Sequence, residues 1–239
     1  MLITGHQPNY LPYTGFFHKV ARSDLFIIVD NVQFVKRGPF GWQHRNRIRG
    51  ADGVRWLTVP VKTSGRFHQR IIEVEIDNAR PWGRKHMRSL EFAYREAPHY
   101  REYADAFQGL YAREWDRLAD LNVAIIRHLL DVLGIRTPVR RTSEMGVVGE
   151  GTGLVVALCR AAGADEYLSG IHGRDYLDYA LLRDEGIRVR YPKFRHPVYP
   201  QRGHADFVEN LSAVDLLFNV GPAAGEMVRT AGGVGPPET

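Results

Sequence analysis

Residues 2–30 read LITGHQPNYLPYTGFFHKVARSDLFIIVD, and this stretch decides the fold class. The apolar run LIT ends at Gly5, a proline-containing loop follows, and Thr14–Ala21 has the composition of a short helix. The continuous apolar run in LFIIVD, Leu25–Asp30, is typical of a strand that is buried on both faces. Strand, loop, helix and strand in this order form a βαβ unit, which predicts a parallel sheet.

A second βαβ unit is expected closer to the C-terminus. It combines the strand EYLSG (166–170), a helix over Tyr176–Glu185 and the strand IRVRY (187–191), and a helix over Leu154–Ala162 precedes it. Glycines at 163 and 186 follow the two helices, as is usual at helix C-termini. The two units together predict a mostly parallel, Rossmann-like sheet.

The middle of the chain shows two other patterns. WQHRNRIRG and VRWLTVPVK flank the turn residues Gly50–Gly53 and predict an antiparallel hairpin, with IIEVEID (Ile71–Asp77) as a third strand. Between about residues 81 and 134, apolar residues recur at three- and four-residue spacing, which predicts helices. The expected fold class is therefore α/β, with an antiparallel hairpin section and a helical insertion.

One domain over residues 1–221 accommodates these elements, and the Gly- and Pro-rich residues 222–239 are expected to form a flexible tail. The 44% apolar and 25% charged composition is that of a globular protein and excludes global disorder. A single cysteine excludes an internal disulfide and a thiolate-rich metal site. Without a signal peptide or a long apolar run, we expect a soluble, cytoplasmic protein with no membrane partner.

Polar side chains follow each expected strand of the parallel sheet. Ligands of open α/β sheets bind beyond the carboxyl ends of the strands, so these clusters predict a site. Strand ends are also polar simply because loops are, but the prolines and hydrogen-bonding side chains of GHQPNYLPYTGFF distinguish it from an ordinary loop. The clusters comprise His6, Gln7, Asn9 and Tyr10, then Asp30 and Gln33, then Ser169, and finally His196 and Tyr199.

A basic window without any acidic residue extends from Asn31 to Ala51. Lys36 and Arg37 follow the second strand closely enough to hold a phosphate or carboxylate of a ligand. Period-two alternation in the first hairpin strand places Gln43, Arg45, Arg47 and Arg49 on one face and Trp42, His44, Asn46 and Ile48 on the other. A charged, solvated hairpin edge is the competing interpretation of the arginine row.

The sequence contains no P-loop and no dinucleotide-binding fingerprint at a strand-to-helix turn, so we expect no cofactor of these types. Four histidines, at 6, 172, 196 and 204, lack the spacing of a metal site, so no metal is expected. Among the groups able to transfer protons near neutral pH, His6 and His196 are the favoured candidates. Asp30 is the candidate for orienting one of them or contacting a substrate amine.

In order along the chain, GHQPNYLPYTGFF, FIIVDNVQFVKR, WQHRNRI, WLTVPV, YLSG, FRHPVYPQ and LSAVDLLFNVG closely resemble the pattern of the WbqC-like protein family. Members of that family occur with polysaccharide and other biosynthetic gene sets, so the resemblance implies a biosynthetic role. It also implies one pocket formed by His6, Gln7, Asn9, Tyr10, Asp30, Gln33, Lys36, Arg37, Asn46, Arg47, His196, Tyr199 and Gln201.

These observations lead to an acyl- or aminoacyltransferase that forms an amide bond. The acyl donor is a carrier-protein thioester, coenzyme A or a charged tRNA, and the acceptor is an amine such as an amino sugar. His6 or His196 deprotonates the amine, while Gln7, Asn9 and Tyr10 hold the substrate and polarise the acyl carbonyl.

Two alternatives remain. A strand followed by HQPNYLPYTGFFHK is distantly similar to the phosphate-binding histidine motif of nucleotidylyltransferases, although His18 is misplaced for it, and an ATP-dependent ligase belongs to the same alternative. The second alternative is a non-enzymatic module that binds RNA or an acidic carrier protein through Arg45, Arg47 and Arg49. Steep salt dependence is expected of phosphate-backbone binding and separates it from recognition of a small substrate.

Overall fold

The computed structural model describes residues 1–36, 41–50, 53–202 and 206–238. Its strands are β1 (Leu2–His6), β2 (Leu25–Ile28), β3 (Arg45–Gly50), β4 (Gly53–Thr58), β5 (Val139–Arg141), β6 (Glu166–Leu168), β7 (Arg188–Arg190), β8 (Pro192–Phe194) and β9 (Gly232–Val234). Its helices are α1 (Thr14–Ala21), α2 (Trp82–Tyr94), α3 (Tyr100–Ala112), α4 (Leu118–Val132), α5 (Thr142–Met145), α6 (Gly151–Ala162), α7 (Tyr179–Asp184), α8 (Ala213–Val220) and α9 (Ala224–Thr230).

A parallel sheet in the order β5-β2-β1-β6-β7 forms the centre of the fold. Every neighbouring pair in it is parallel, and the β1–β2 register runs from Ile3 opposite Leu25 to His6 opposite Ile28. The sequence prediction of a parallel sheet with a separate antiparallel hairpin is confirmed. All five strands therefore end at one edge, which is where the polar clusters of the sequence were expected to meet.

Helices cover both faces of this sheet, and strand β2 shows why its sequence is apolar throughout. Phe26 and Ile28 pack into the core on one face, whereas Leu25 and Ile27 pack into the core on the other. Successive side chains of a strand point to opposite faces, so a strand buried on both sides needs apolar residues at every position. The first face is covered chiefly by α1, α4 and α8, and the second by α6 and α7.

The predicted helical insertion is present as α2, α3 and α4. Phe107 of α3 and Leu129 of α4 are completely buried and belong to the larger core, together with Phe218 of α8. The insertion thus extends the core on the α1 side of the sheet. None of the helices in the described residues is long and apolar enough to cross a membrane.

The hairpin β3–β4 has the predicted antiparallel register, with Gly50 opposite Gly53. Asn46 and Ile48 face the interior, as the alternation predicts, while Arg45 and Arg47 lie on the outer face. The predicted position of Trp42 is wrong, because its ring stacks on Trp56 of the outer face at 5.5 Å. Strand β3 begins at Arg45, so alternation cannot be extended back to residue 42.

Two further predictions differ from the structure. IIEVEID does not form a regular strand: residues Ile71–Glu73 form a 3-10 turn, and Glu75 and Ile76 make only isolated bridges, to Arg117 and Val61. Residues 222–239 are not a flexible tail over their described part. Helix α9 packs Ala224 and Val228 into the core, and β9 pairs with β8.

Candidate functional site

The candidate site lies at the carboxyl ends of β1 and β6. The chain builds β1, β2 and β5 on one side of the sheet and then crosses to β6 and β7 on the other side. The strand order reverses between β1 and β6, and in open α/β sheets the loops separate there to leave a crevice. His6 ends β1 and Ser169 follows β6, so both residues lie at the edge of the sheet where the strand order reverses, and the loop 7–13 connects β1 to α1.

The backbone of loop 7–13 is fixed by side chains from other elements. Asn122 of α4 donates from Nδ2 to the carbonyl oxygens of Pro8 at 2.7 Å and Gln43 at 2.6 Å. Asn46 of the hairpin donates to the carbonyl oxygen of Leu11 at 2.6 Å. The loop is therefore held simultaneously by the helical insertion and the hairpin.

The hydrogen bonds from Asn46 and Asn122, which we call the clamp, hold loop 7–13 in a shape that includes a leucine with a left-handed backbone conformation. Leu11 has φ of +44° and is completely buried, a conformation that costs a non-glycine residue of order 1–3 kcal/mol. The hydrogen bond from Asn46 to its carbonyl oxygen helps to maintain that conformation. Asn46 was predicted to bind substrate, but in the structure its side-chain amide donates to the backbone of the loop and helps to fix the loop's conformation.

Tyr10 also has a supporting position instead of the predicted contact with substrate. Its hydroxyl is hydrogen-bonded to the ring of His86 at 2.8 Å and to the Tyr111 hydroxyl at 2.6 Å, and its side chain is fully buried. Burial raises the pKa of Tyr10 well above its usual value, with Tyr111 adding to the effect. Tyr10 thus attaches the loop to the helical insertion.

Two side chains of the candidate site, His6 and Asn9, have polar groups that no described residue bonds. His6 is partly buried, and its Nδ1 lies 2.9 Å from the carbonyl oxygen of Gln7, which fixes Nδ1 as the protonated nitrogen. No described residue forms a hydrogen bond with His6 Nε2 or with the side-chain amide of Asn9, and neither group is sealed from solvent. Gln7 lies next to them and accepts a hydrogen bond from Gln43.

A buried lysine next to the end of β1 adds to the effect of burial on the pKa of His6. Lys19 is 5% exposed and donates from Nζ to the carbonyl oxygen of Gly5 at 3.1 Å. Burial lowers the pKa of Lys19 to about 7. Burial, together with the nearby Lys19 charge, lowers the pKa of His6 to about 3. His6 is consequently neutral at physiological pH, with a lone pair on the open Nε2.

His196 lies on the other side of the first turn of α1. Its Nε2 is 3.3 Å from the Thr14 hydroxyl and its Nδ1 is 2.9 Å from the carbonyl oxygen of Pro197. His6 contacts the same turn, with its ring centroid 4.8 Å from that of Phe16. The two predicted catalytic histidines therefore flank the start of α1. His196 also borders a cavity of about 550 Å³ that includes Lys193 and Arg195.

Asp30 follows β2, and its carboxylate is bonded by other residues of the protein. Its carboxylate is fully buried and accepts hydrogen bonds from Arg141 Nε at 2.6 Å, from the Thr142 hydroxyl at 2.9 Å and from the Ser143 hydroxyl at 2.8 Å. Burial alone would raise the pKa of Asp30, but these donors outweigh it and leave the pKa below its usual value. The structure therefore replaces the predicted catalytic role with a structural one, the attachment of α5 to β2.

Tyr199 and Gln201 likewise have protein partners in place of a ligand. The Tyr199 hydroxyl and the Gln201 side-chain amide donate to the Asp215 carboxylate at 2.8 and 2.9 Å, and Tyr94 donates to its other oxygen at 2.8 Å. Asp215 is fully buried, and burial raises its pKa despite these donors. This cluster joins the segment after β8 to α8, and Asp215 was not singled out from the sequence.

The remaining predicted residues are dispersed. Gln33 donates to the carbonyl oxygen of Phe67, and Lys36 donates to the Thr63 hydroxyl at 2.7 Å, both at exposed positions. Arg37 lies outside the described residues. Arg47 donates to the carbonyl oxygen of Asn210 from the outer hairpin face. Ser169 is 2% exposed and packs beneath Gly173, where an added Cβ would be 2.0 Å from its hydroxyl.

The candidate site thus comprises His6 at the end of β1 and Gln7 and Asn9 in the loop that follows, with His196 bonded to the first turn of α1. Sequence reasoning missed Lys19, Asn122 and Asp215. A sequence signal for Lys19 was its position within the motif-bearing segment HQPNYLPYTGFFHK, whereas Asn122 and Asp215 had no such signal because they occur in ordinary amphipathic helices.

Comparisons with known proteins give a family but no activity. The family model described as the WbqC-like protein family matches residues 7–227. Uncharacterized protein Rv1507c of Mycobacterium tuberculosis is 37% identical over 224 residues, which cover 93% of this chain and 95% of that protein. No solved structure matches the chain significantly.

Proposed function

This chain belongs to the WbqC-like protein family, and we propose that it transfers an acyl or aminoacyl group from an activated donor to an amine, forming an amide bond. One observation carries the proposal. The imidazole at the end of β1 is neutral, and neither its Nε2 nor the Asn9 amide three positions later has a hydrogen-bond partner among the described residues. These two groups, His6 and Asn9, are the two kinds that acyl transfer to an amine requires: a proton acceptor and a hydrogen-bond donor.

The proposed reaction assigns one step to each group. The amine nitrogen attacks the acyl carbonyl carbon, a C–N bond forms, and His6 Nε2 accepts the proton that the nitrogen loses. The Asn9 amide donates to the developing oxyanion. The carbonyl then re-forms as the bond to the leaving thiolate or alkoxide breaks, and the proton passes from His6 to that leaving group. The step needs no oxidant, reductant or metal ion.

His6 is preferred to His196 as the base because of its free nitrogen. Both ring nitrogens of His196 are within hydrogen-bonding range of protein atoms, Thr14 Oγ1 and Pro197 O. Of these two histidines, only His6 has a ring nitrogen without a hydrogen-bond partner among the described residues. Its low pKa keeps the ring neutral at physiological pH, so that Nε2 has a lone pair for the proton of the amine.

The free-energy cost of burying the Lys19 charge also supports a functional site at the end of β1. A lysine with its pKa lowered to about 7 and no carboxylate partner among the described residues destabilises the fold near neutral pH. Such perturbed groups concentrate at functional sites, although structural networks produce them as well. Here the perturbed lysine bonds the carbonyl oxygen of Gly5, the residue that precedes His6.

The test is the mass change of an amine panel incubated with the protein and acyl donors of three types: a carrier-protein thioester, an acyl-coenzyme A and a charged tRNA. We expect a condensed amide with one donor type, and we expect His6→Gln and Asn9→Ala each to lower turnover by about 100-fold or more. His68→Ala alters an exposed histidine and should leave turnover unchanged. Full activity of His6→Gln would reject His6 as the base.

The strand order favours a second candidate function, nucleotidyl transfer. An open parallel sheet whose order reverses beside β1, with a loop leading into a helix N-terminus, suits a nucleotide phosphate at that turn. In this reaction a substrate carboxylate attacks the α-phosphorus of a nucleoside triphosphate and pyrophosphate leaves. Release of pyrophosphate from ATP with magnesium and a panel of carboxylic acids would support it, and no release would count against it.

A further inference from the structure

The outer face of the hairpin carries a basic and aromatic surface, which we call the hairpin surface: Trp42, Arg45, Arg47, Val54 and Trp56. The rings of Trp42 and Trp56 stack with centroids 5.5 Å apart at 27°. The Arg45 guanidinium lies 4.7 Å from the centre of the Trp56 ring. The Arg47 guanidinium lies 5.8 Å from the centre of the Trp42 ring and 5.9 Å from that of Trp56. Two flat aromatic groups and two cations are therefore held together on one face.

Among the described residues, no carboxylate neutralises the arginines of the hairpin surface. Neither Arg45 nor Arg47 forms an ion pair with any carboxylate among the described residues. No acidic residue occurs in 41–50 or 53–58, the described residues of the hairpin and of the segment leading into it. The surface therefore attracts an anionic partner, and its arginine side chains are oriented by ring stacking instead of by acids.

Solvent exposure of the apolar part indicates that the surface binds something. Trp56 is 45% exposed and Val54 is 42% exposed, although both have polar or charged neighbours on the same strands. Packing of the hairpin does not require tryptophan at position 56, because its core contacts are made by Ile48 and Leu57 on the opposite face. An exposed tryptophan between arginines is a stacking platform for a flat ligand.

We propose that the hairpin surface binds single-stranded RNA and that the acyl donor of this protein is carried on RNA. Aromatic platforms combined with unpaired arginines bind single strands, because each base offers a flat face and each phosphate a charge. A double helix hides its base faces, and an acidic carrier protein would use the arginines but has no need of the stacked rings. Single-stranded RNA is the ligand that would use both the stacked rings and the arginines.

The position of the hairpin surface connects it to the candidate site. The Trp42 carbonyl oxygen accepts a hydrogen bond from the Tyr10 backbone at 3.0 Å, and Gln43 donates to Gln7. A strand bound along the hairpin can therefore extend its end towards His6 and Asn9. The RNA-borne donor rests on the proposed function, whereas the binding of RNA to this surface does not.

The experiment measures binding of the full chain to a fluorescent single-stranded RNA of about 12 nucleotides, without any acyl group, over a salt series. We expect Trp56→Ala to weaken binding by roughly 10-fold and Trp56→Phe, which keeps a flat ring, by less than about threefold. Arg45→Ala should reduce the slope of log affinity against log salt by about 0.7, the share of one phosphate contact. Arg183→Ala, an exposed arginine on α7, should change neither quantity.

The outcomes separate this proposal from the proposed function. The proposal fails if the RNA does not bind, if Trp56→Ala binds as tightly as the parent, or if an RNA duplex or polyglutamate binds equally well. Amide formation from a thioester donor by a protein that does not bind RNA would remove the RNA-borne donor and keep the transferase. RNA binding that depends on Trp56, without transfer from any donor, would keep the surface and remove the transferase.

Discussion

Replacing the buried lysine next to the end of β1 with methionine should stabilise the protein. Lys19→Met keeps the length of the side chain but removes a charge that the fold holds at 5% exposure. The pKa of Lys19 falls from 10.5 to about 7 on folding, and each pKa unit corresponds to about 1.4 kcal/mol, so burial of the charge costs about 5 kcal/mol. Loss of the hydrogen bond to Gly5 returns about 1 kcal/mol of this gain.

The sign and pH range of the effect follow from proton linkage. Between the lowered pKa of Lys19 in the folded protein and its usual value, the unfolded chain binds the proton that the folded chain lacks, so stability rises with pH. The advantage of Lys19→Met is therefore largest at and below neutral pH. It should shrink by about 2–3 kcal/mol between roughly pH 7 and pH 9, because the folded parent loses the lysine proton there.

The assay is urea unfolding of the parent and of Lys19→Met across this pH range. Lys85→Met removes an exposed lysine on α2 and should change stability by less than about 0.5 kcal/mol at every pH. The reasoning is refuted if Lys19→Met is destabilising at neutral pH, or if its difference from the parent does not vary with pH. Either result would mean that Lys19 is stabilised in its charged form.

Three other residues give predictions of stability and function together. Asp30→Asn should destabilise the protein by about 3–5 kcal/mol in thermal or urea unfolding, because it breaks a buried ion pair with Arg141. Since the pKa of Asp30 is lowered in the fold, its contribution is lost as the pH falls below about 4, so the variant should differ least from the parent in acid. Tyr199→Phe should lower stability by about 1.5–3 kcal/mol through loss of its bond to Asp215 while leaving KM for the amine unchanged; a raised KM would place Tyr199 in the site after all. Asn122→Ala removes the donor to the carbonyl oxygens of Pro8 and Gln43 and should reduce kcat and lower stability by about 2–4 kcal/mol; unchanged kcat would show that these hydrogen bonds are dispensable for the geometry of loop 7–13.

The fold was predictable from the sequence where local pattern and final environment agree. LFIIVD is apolar at each strand position because β2 is buried on both faces, and Thr14–Ala21 matches α1 at both ends. For IIEVEID the prediction was wrong because its alternation is typical of a strand, whereas the structure has a 3-10 turn followed by two isolated bridges. The prediction of a flexible C-terminal tail was wrong because Ala224 and Val228 pack into the core, and the Gly-rich composition of the segment does not indicate this contact.

The site was predictable only in part. Proximity to a strand end selected His6, Gln7 and Asn9, which stay predictions, but the same rule selected Asp30, whose donors come from residues more than a hundred positions later. Polarity of a side chain does not indicate whether its partner is a ligand or the protein itself. Tyr10, Asn46, Tyr199 and Gln201 are polar because they bind other parts of this chain, and only the tertiary structure distinguishes them from Asn9.

An NMR titration of the His6 ring nitrogens tests the central claim most directly, since the proposed chemistry requires a neutral ring with a bare Nε2. With burial and Lys19 lowering its pKa to about 3, His6 should retain the Nδ1-protonated neutral tautomer from about pH 8 to about pH 5. In Lys19→Met its pKa should move upwards. A midpoint near the ordinary 6.5, or a proton on Nε2 at neutral pH, would contradict the assignment of His6 as the base.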